Sequence, residues 1–76
     1  MFHFVMPRAD GTVYHLTLGG KDLDHAFQQF RDGWWTETDH TRCVGIWLNS
    51  ALVAYTMPIV DPMTGLMTCF MVEIKP

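Results

Sequence analysis

The chain has 76 residues, 49% of them hydrophobic and 17% charged, which is too apolar for a disordered segment and fits one globular domain. Its net charge of −3 comes from eight acidic and five basic residues, and the basic ones are scattered, which argues against sequence-independent binding to nucleic acid. A domain this short buries only about 60 to 65% of its unfolded surface, so a partner can add much of its stability.

The start of the chain is predicted to form a hairpin. Alternating apolar side chains predict one strand over residues 2–6 and a second over residues 12–18. Between them, Asp10-Gly11 supplies the positive φ that a hairpin loop needs. The first six residues are too few for a secretory hydrophobic region or a membrane span, so we expect a soluble, cytoplasmic protein.

One helix is predicted to begin near Lys21 or Asp22 and to end at Asp32. Its apolar stripe, with i, i+3, i+4 and i+7 spacing, consists of Leu23, Ala26, Phe27 and Phe30. Asp22 is placed to cap the N-terminus, and Gly33 is expected as the left-handed residue that follows the C-terminus. A helix of about three turns is marginal alone, so it must pack on a sheet.

Residues 43–75 predict a three-stranded antiparallel meander. Apolar segments flank Asn49-Ser50, a two-residue loop in which asparagine favours a left-handed turn. The pairs predicted by this loop are Leu48 with Ala51, Ile46 with Val53 and Val44 with Tyr55. All six side chains are expected on the core face. A second turn at residues 61–65 leads into the third strand.

The element order β-β-α-β-β-β predicts a single α+β domain over residues 1–76. Its simplest form is an antiparallel five-stranded sheet with one helix packed on a face. One helix covers only part of five strands, so some apolar sheet surface stays uncovered. We expect that surface around Trp47, Leu52, Met67 and Met71.

Metal or covalent chemistry would have to come from the cysteines and histidines. His40-x-x-Cys43 has a zinc-like local spacing, but zinc usually takes four ligands from two such pairs. Cys43 and Cys69 lie on strands separated by a third strand, too far apart for a disulfide, so we expect free thiols. We predict no cofactor and no catalytic residue. A small metal- or ligand-binding domain that uses His40, Cys43 and Cys69 is the alternative, as is a homodimeric subunit of an unidentified enzyme.

A partner-binding site is predicted directly after the helix, at Trp34, Trp35, Glu37, Asp39 and His40. Tryptophan is enriched among the residues that dominate binding energy at interfaces. We expect one of the two tryptophans in the core and the other half exposed. The acidic side chains would attract a basic surface, such as that of a nucleic-acid-handling complex.

These observations favour a non-enzymatic protein-binding module. In size and acidity the chain is comparable with small phage-encoded inhibitors, including anti-CRISPR proteins, which block a surface of a larger protein complex. That comparison depends on no motif. Association of two copies, through a sheet edge such as residues 2–6 or 66–74 or through the uncovered sheet face, is a further hypothesis.

Overall fold

The computed structural model describes residues 1–8, 10–35 and 43–75. Its elements are β1 (Phe2–Pro7), β2 (Val13–Leu18), α1 (Leu23–Gly33), β3 (Gly45–Leu48), β4 (Ala51–Val60) and β5 (Met67–Glu73). The strands form one sheet in the order β2-β1-β3-β4-β5, and every neighbouring pair is antiparallel. The predicted α+β class and β-β-α-β-β-β order are therefore confirmed.

The hairpin and the meander join through β1 and β3, which pair in the middle of the sheet with Phe4 opposite Ile46. This pairing makes β2 and β5 the two edges. The expectation that β5 is an edge strand is confirmed. The expectation that residues 2–6 form an edge is wrong, because β1 has a neighbour on both sides.

The β1–β2 turn closes through local hydrogen bonds. Gly11 has the positive φ, 88°, that the Asp-Gly pair predicts. The Asp10 carboxylate accepts from both the backbone N–H and the hydroxyl of Thr12, at 2.9 and 2.6 Å. These hydrogen bonds lower the pKa of Asp10, because they stabilise its ionised form.

The core lies between α1 and one face of the sheet, which we call the helix face. At its centre the rings of Phe4 and Phe30 stack with centroids 4.9 Å apart, and both residues are fully buried. The other buried apolar residues are Phe2, Met6, Leu16, Ala26, Phe27, Val44, Ile46, Ala54 and Cys69. The alternation of buried residues along β1 is the period-2 pattern that its sequence predicts.

The ends of α1 agree with prediction only at the N-terminus. Asp22 is the N-cap, and its carboxylate accepts from the backbone N–H of His25 at 2.8 Å. At the other end, Gly33 is the last helical residue and Trp34 is the cap, with its N–H donating to the Phe30 carbonyl at 2.8 Å. The prediction that Gly33 follows the helix in a left-handed conformation was wrong.

The turn between β3 and β4 has the predicted left-handed backbone. Asn49 and Ser50 have φ values of 50° and 67°, and Leu48 pairs with Ala51 as expected. Positive φ at both central residues matches the right-handed twist of the flanking strands.

Beyond the first two pairs, the β3–β4 register departs from prediction. Ile46 pairs with Ala54 instead of Val53, so Val53 is an extra residue that makes a β-bulge. Tyr55 accordingly lies opposite Gly45 instead of Val44. The predicted pairs Ile46–Val53 and Val44–Tyr55 were therefore wrong.

After the bulge, the side chains of β4 lie on the sheet faces opposite to those predicted, because a shift of one residue moves each following side chain to the other side. Ala54 and Thr56 are buried on the helix face, where the Thr56 hydroxyl accepts from the Val44 N–H at 3.1 Å. The same shift passes to β5, whose Met71 packs on the core. Met67 and Met71 therefore lie on the helix face, and their predicted place on the uncovered face was wrong.

Candidate functional site

The sheet face away from α1, which we call the open face, is formed by alternate residues of all five strands. Its members are His3, Val5, Pro7, Val13, His15, Thr17, Gly45, Trp47, Leu52, Tyr55, Met57, Ile59, Thr68, Phe70 and Val72. The predicted uncovered residues Trp47 and Leu52 belong to it, with 37% and 38% of their surface exposed.

Large apolar side chains on the open face are in contact with solvent. Those counted as exposed are Val13, Trp47, Leu52, Met57, Ile59 and Phe70. No open-face residue is an aspartate, glutamate, lysine or arginine. Monomeric proteins rarely expose contiguous apolar patches larger than a few hundred Å², and larger patches mark interaction sites. The open face is therefore the strongest candidate for a functional surface.

A cavity of about 340 Å³ opens on the open face beside the β3–β4 turn. It is lined by Met1, His3, Val5, Trp47, Asn49 and Ser50. Its size falls at the lower end of the range for small-molecule sites. Because His3, Val5 and Trp47 also belong to the open face, a partner that covers that face would also cover the cavity.

Two histidines meet on the open face, a feature that the sequence reasoning did not anticipate. His3 Nε2 lies 2.9 Å from His15 Nδ1, and His3 Nδ1 lies 3.4 Å from the Thr17 hydroxyl. In the neutral pair, one imidazole donates and the other accepts. Two ring nitrogens are half of what zinc usually takes. Within residues 1–8, 10–35 and 43–75, no three His, Cys, Asp or Glu side chains are grouped to hold a metal ion.

The two cysteines are free thiols, as expected, and lie on opposite faces of the sheet. Cys69 is buried in the core, and burial raises its pKa to about 11, so its thiol is neutral at physiological pH. Cys43 is exposed, and its Sγ lies 3.4 Å from the Sδ of Met57 on the open face. This separation weighs against the alternative ligand set of Cys43, Cys69 and His40; the last of these lies outside the described residues.

The predicted partner-binding site is described only at its two tryptophans. Trp34 is 45% exposed, whereas Trp35 is half-buried and packs against the core cluster. The pair is thus divided between core and surface, and Trp34 is the exposed member. Glu37, Asp39 and His40 lie outside the described residues, so their role stays a prediction.

Comparison with known proteins gives no relative. The sequence matches no protein-family model, and no curated protein or solved structure is significantly similar to it. Among the residues that the structure describes, no helix is long and apolar enough to cross a membrane.

Proposed function

We propose that the protein is a non-enzymatic protein-binding module whose binding surface is the open face. The observation that carries this proposal is a sheet surface with exposed apolar side chains on four strands and no charged residue. Depletion of charge together with enrichment of aromatic residues and methionine distinguishes the centre of a protein interface from the rest of the surface. Trp47, Tyr55, Met57 and Phe70 provide that composition here.

The cysteines support a binding role over a catalytic one. A nucleophilic cysteine needs a thiolate stabilised by a nearby cation, helix N-terminus or imidazole. The Cys69 thiol is buried and neutral, and among the described residues the Cys43 thiol contacts the thioether of Met57, which is not a base. Two free thiols also favour a reducing compartment, so we propose the cytoplasm as the place of action.

The narrower hypothesis, an inhibitor that blocks a surface of a larger protein complex, involves a second surface around Trp34. This residue follows the last turn of α1, on the helix side of the sheet, and is 45% exposed. The backbone N–H of Trp34 donates to the Phe30 carbonyl and fixes the main chain there, and the exposed indole is a suitable anchor for a partner. Attraction to a basic target depends on Glu37 and Asp39 and stays a prediction.

Affinity capture with matched variants tests the open face. Met57→Lys places a positive charge on it, whereas Met63→Lys places the same charge in the β4–β5 turn, where Met63 is 90% exposed. We expect the wild type and Met63→Lys to be cross-linked to a protein partner through open-face residues, and Met57→Lys to lose that partner. Equal capture by both lysine variants would contradict the proposal. Loss with Trp34→Ala alone would move the binding function to the Trp34 surface.

A further inference from the structure

We infer that the partner of the open face is a second copy of this chain, and that two copies stack sheet on sheet. The inference rests on the proposed function, because it names the partner of the same surface. The assembly would have four layers, helix, sheet, sheet and helix. Sheets that stack in this way lie about 10 Å apart and interdigitate their side chains.

The lack of charge makes the open face complementary to itself. In a two-fold dimer the same patch meets its own copy, so a charged side chain near the axis would meet a like charge. The chain has eight acidic and five basic residues, and none of those that the structure describes lies at an open-face position. Glu73 of β5, for example, pairs with Ala54 and thus lies on the helix face. The repulsion between two copies of net charge −3 therefore acts only between charges outside the contact, where salt screens it over about 8 Å.

The size of the open face suits a small stable dimer. Five strands about 4.8 Å apart and about six residues long span roughly 20 by 20 Å. The flat area of two such faces is about 800 Å², and their protruding side chains raise the accessible area that stacking buries to the order of 1,000 Å², which is the minimum expected of a specific interface. Each copy would contribute roughly one tenth of its 4983 Å² surface.

The composition of the open face favours a second copy over an unrelated partner. Interfaces between proteins that also exist apart are about as polar as the remaining surface, whereas homodimer interfaces are more apolar. On the open face, His3 contacts both His15 and Thr17 at hydrogen-bond distance within one copy. The three side chains can keep these mutual hydrogen bonds when they enter a dry interface, which lowers the cost of burying them.

Sedimentation velocity over about 1 to 300 µM protein tests the inference. We expect the wild type and Met63→Lys to sediment as dimers, at twice the 8.7 kDa chain mass. For Met57→Lys we expect at least a tenfold weaker dimer, because two copies of the new charge enter the interface. A wild type that stays at 8.7 kDa throughout, or a Met57→Lys variant that dimerises like the wild type, would overturn the inference.

A second measurement uses only the wild type, because Met57→Lys would unfold if folding required the dimer. In a mixture of ¹³C-labelled and unlabelled copies, isotope-filtered NOEs report contacts between chains. We expect them at the Met57 methyl group and the Phe70 ring. Contacts confined to the edge strands β2 or β5 would overturn face-to-face stacking.

The two experiments separate this inference from the proposed function. A monomer whose capture of another protein requires Met57 overturns the second-copy inference and leaves the proposed function intact. If the protein is a monomer and the wild type and Met57→Lys capture another protein equally well, both the second-copy inference and the proposed function are overturned.

Discussion

The side chain of Trp47 lies over the backbone of Gly45, two residues earlier on β3. A Cβ atom added at Gly45 would lie 3.2 Å from the indole Nε1 and 3.3 Å from the Leu52 Cδ1. Glycine therefore lets both side chains lie close to the sheet, in the strand at its centre. The apolar surface is therefore flat at this point. A bulkier residue at position 45 would push the indole outward.

Gly45→Ala should change the shape of the open face more than the stability of the fold. The added methyl group has to displace Trp47 and Leu52 by a few tenths of an ångström, and both can move because they border solvent. Alanine also recovers roughly 0.5–1 kcal/mol of the entropy that glycine loses in a strand. We expect the free energy of unfolding to change by less than about 1 kcal/mol. The Trp47 indole resonance should shift, and the inferred dimer should weaken.

Urea denaturation, NMR and sedimentation of the Gly45→Ala variant measure these three effects. A loss of more than about 2 kcal/mol of stability would show that the indole cannot move.

Ser50→Gly should stabilise the protein. Ser50 has φ 67°, a conformation that costs a residue with a Cβ about 1–2 kcal/mol and costs glycine almost nothing. After the larger unfolded-state entropy of glycine is subtracted, we expect a gain of about 0.5–1 kcal/mol, measured by urea denaturation. Gly65→Ala is the matched control, because Gly65 has φ 73° and the substitution should destabilise. Two changes of the same sign would refute the backbone explanation.

The Asn49-Ser50 turn also marks the limit of what this sequence predicts. The turn, the Asp22 cap and the strand alternation of β1 arise from neighbours in the chain, so local chemistry indicates them. The bulge at Val53 has no local signal. It depends on which residues of β4 fit under the core, and the structure buries Ala54 and Thr56 there. The faces predicted for Trp47 and Leu52, which precede the bulge, were correct, whereas those predicted for Tyr55, Met67 and Met71, which follow it, were wrong.

The candidate site was harder to predict than the fold, because it combines residues from separate parts of the chain. The His3–His15 contact exists only through the β1–β2 register. The continuity of the open face requires β1 to pair with β3 across the intervening helix. A pair of tryptophans is easy to recognise in a sequence. Which of them is exposed depends on packing, which leaves Trp34 exposed and places Trp35 against the core.

Phe30→Ala should remove a large part of the stability of the fold. Phe30 is fully buried and stacks on Phe4, and truncation of such a ring costs about 3–5 kcal/mol. A domain of this size has roughly 5–10 kcal/mol of stability. Phe30→Leu should lose less and remain folded. Trp34→Ala is the surface control and should cost about 1 kcal/mol or less, because its capping N–H belongs to the backbone. Thermal unfolding followed by circular dichroism ranks the three variants, and the reverse order would contradict the assigned core.

The two thiols should differ sharply in reactivity. Alkylating reagents attack the thiolate, so an exposed cysteine with ready access reacts before a buried, neutral one. We expect iodoacetamide to modify Cys43 in the native protein at pH 8 and Cys69 only after denaturation. Peptide mapping after timed quenching identifies the modified residue. Native modification of Cys69 at the rate of Cys43 would show that the core opens readily.

The raised pKa of Cys69 also predicts a loss of stability in alkaline solution. Burial raises the folded-state pKa to about 11, whereas a cysteine in an unfolded chain titrates near pH 8.5. The folded state therefore holds a proton that the unfolded state releases, and stability must fall as pH rises between these values. The contribution is fully present below about pH 8.5 and is lost as pH approaches 11. Cys69→Ala removes the titration of this thiol and keeps the other groups that titrate in alkaline solution. Its unfolding free energy should thus decline less steeply than that of the wild type between about pH 9 and 11; parallel curves would show that Cys69 does not contribute.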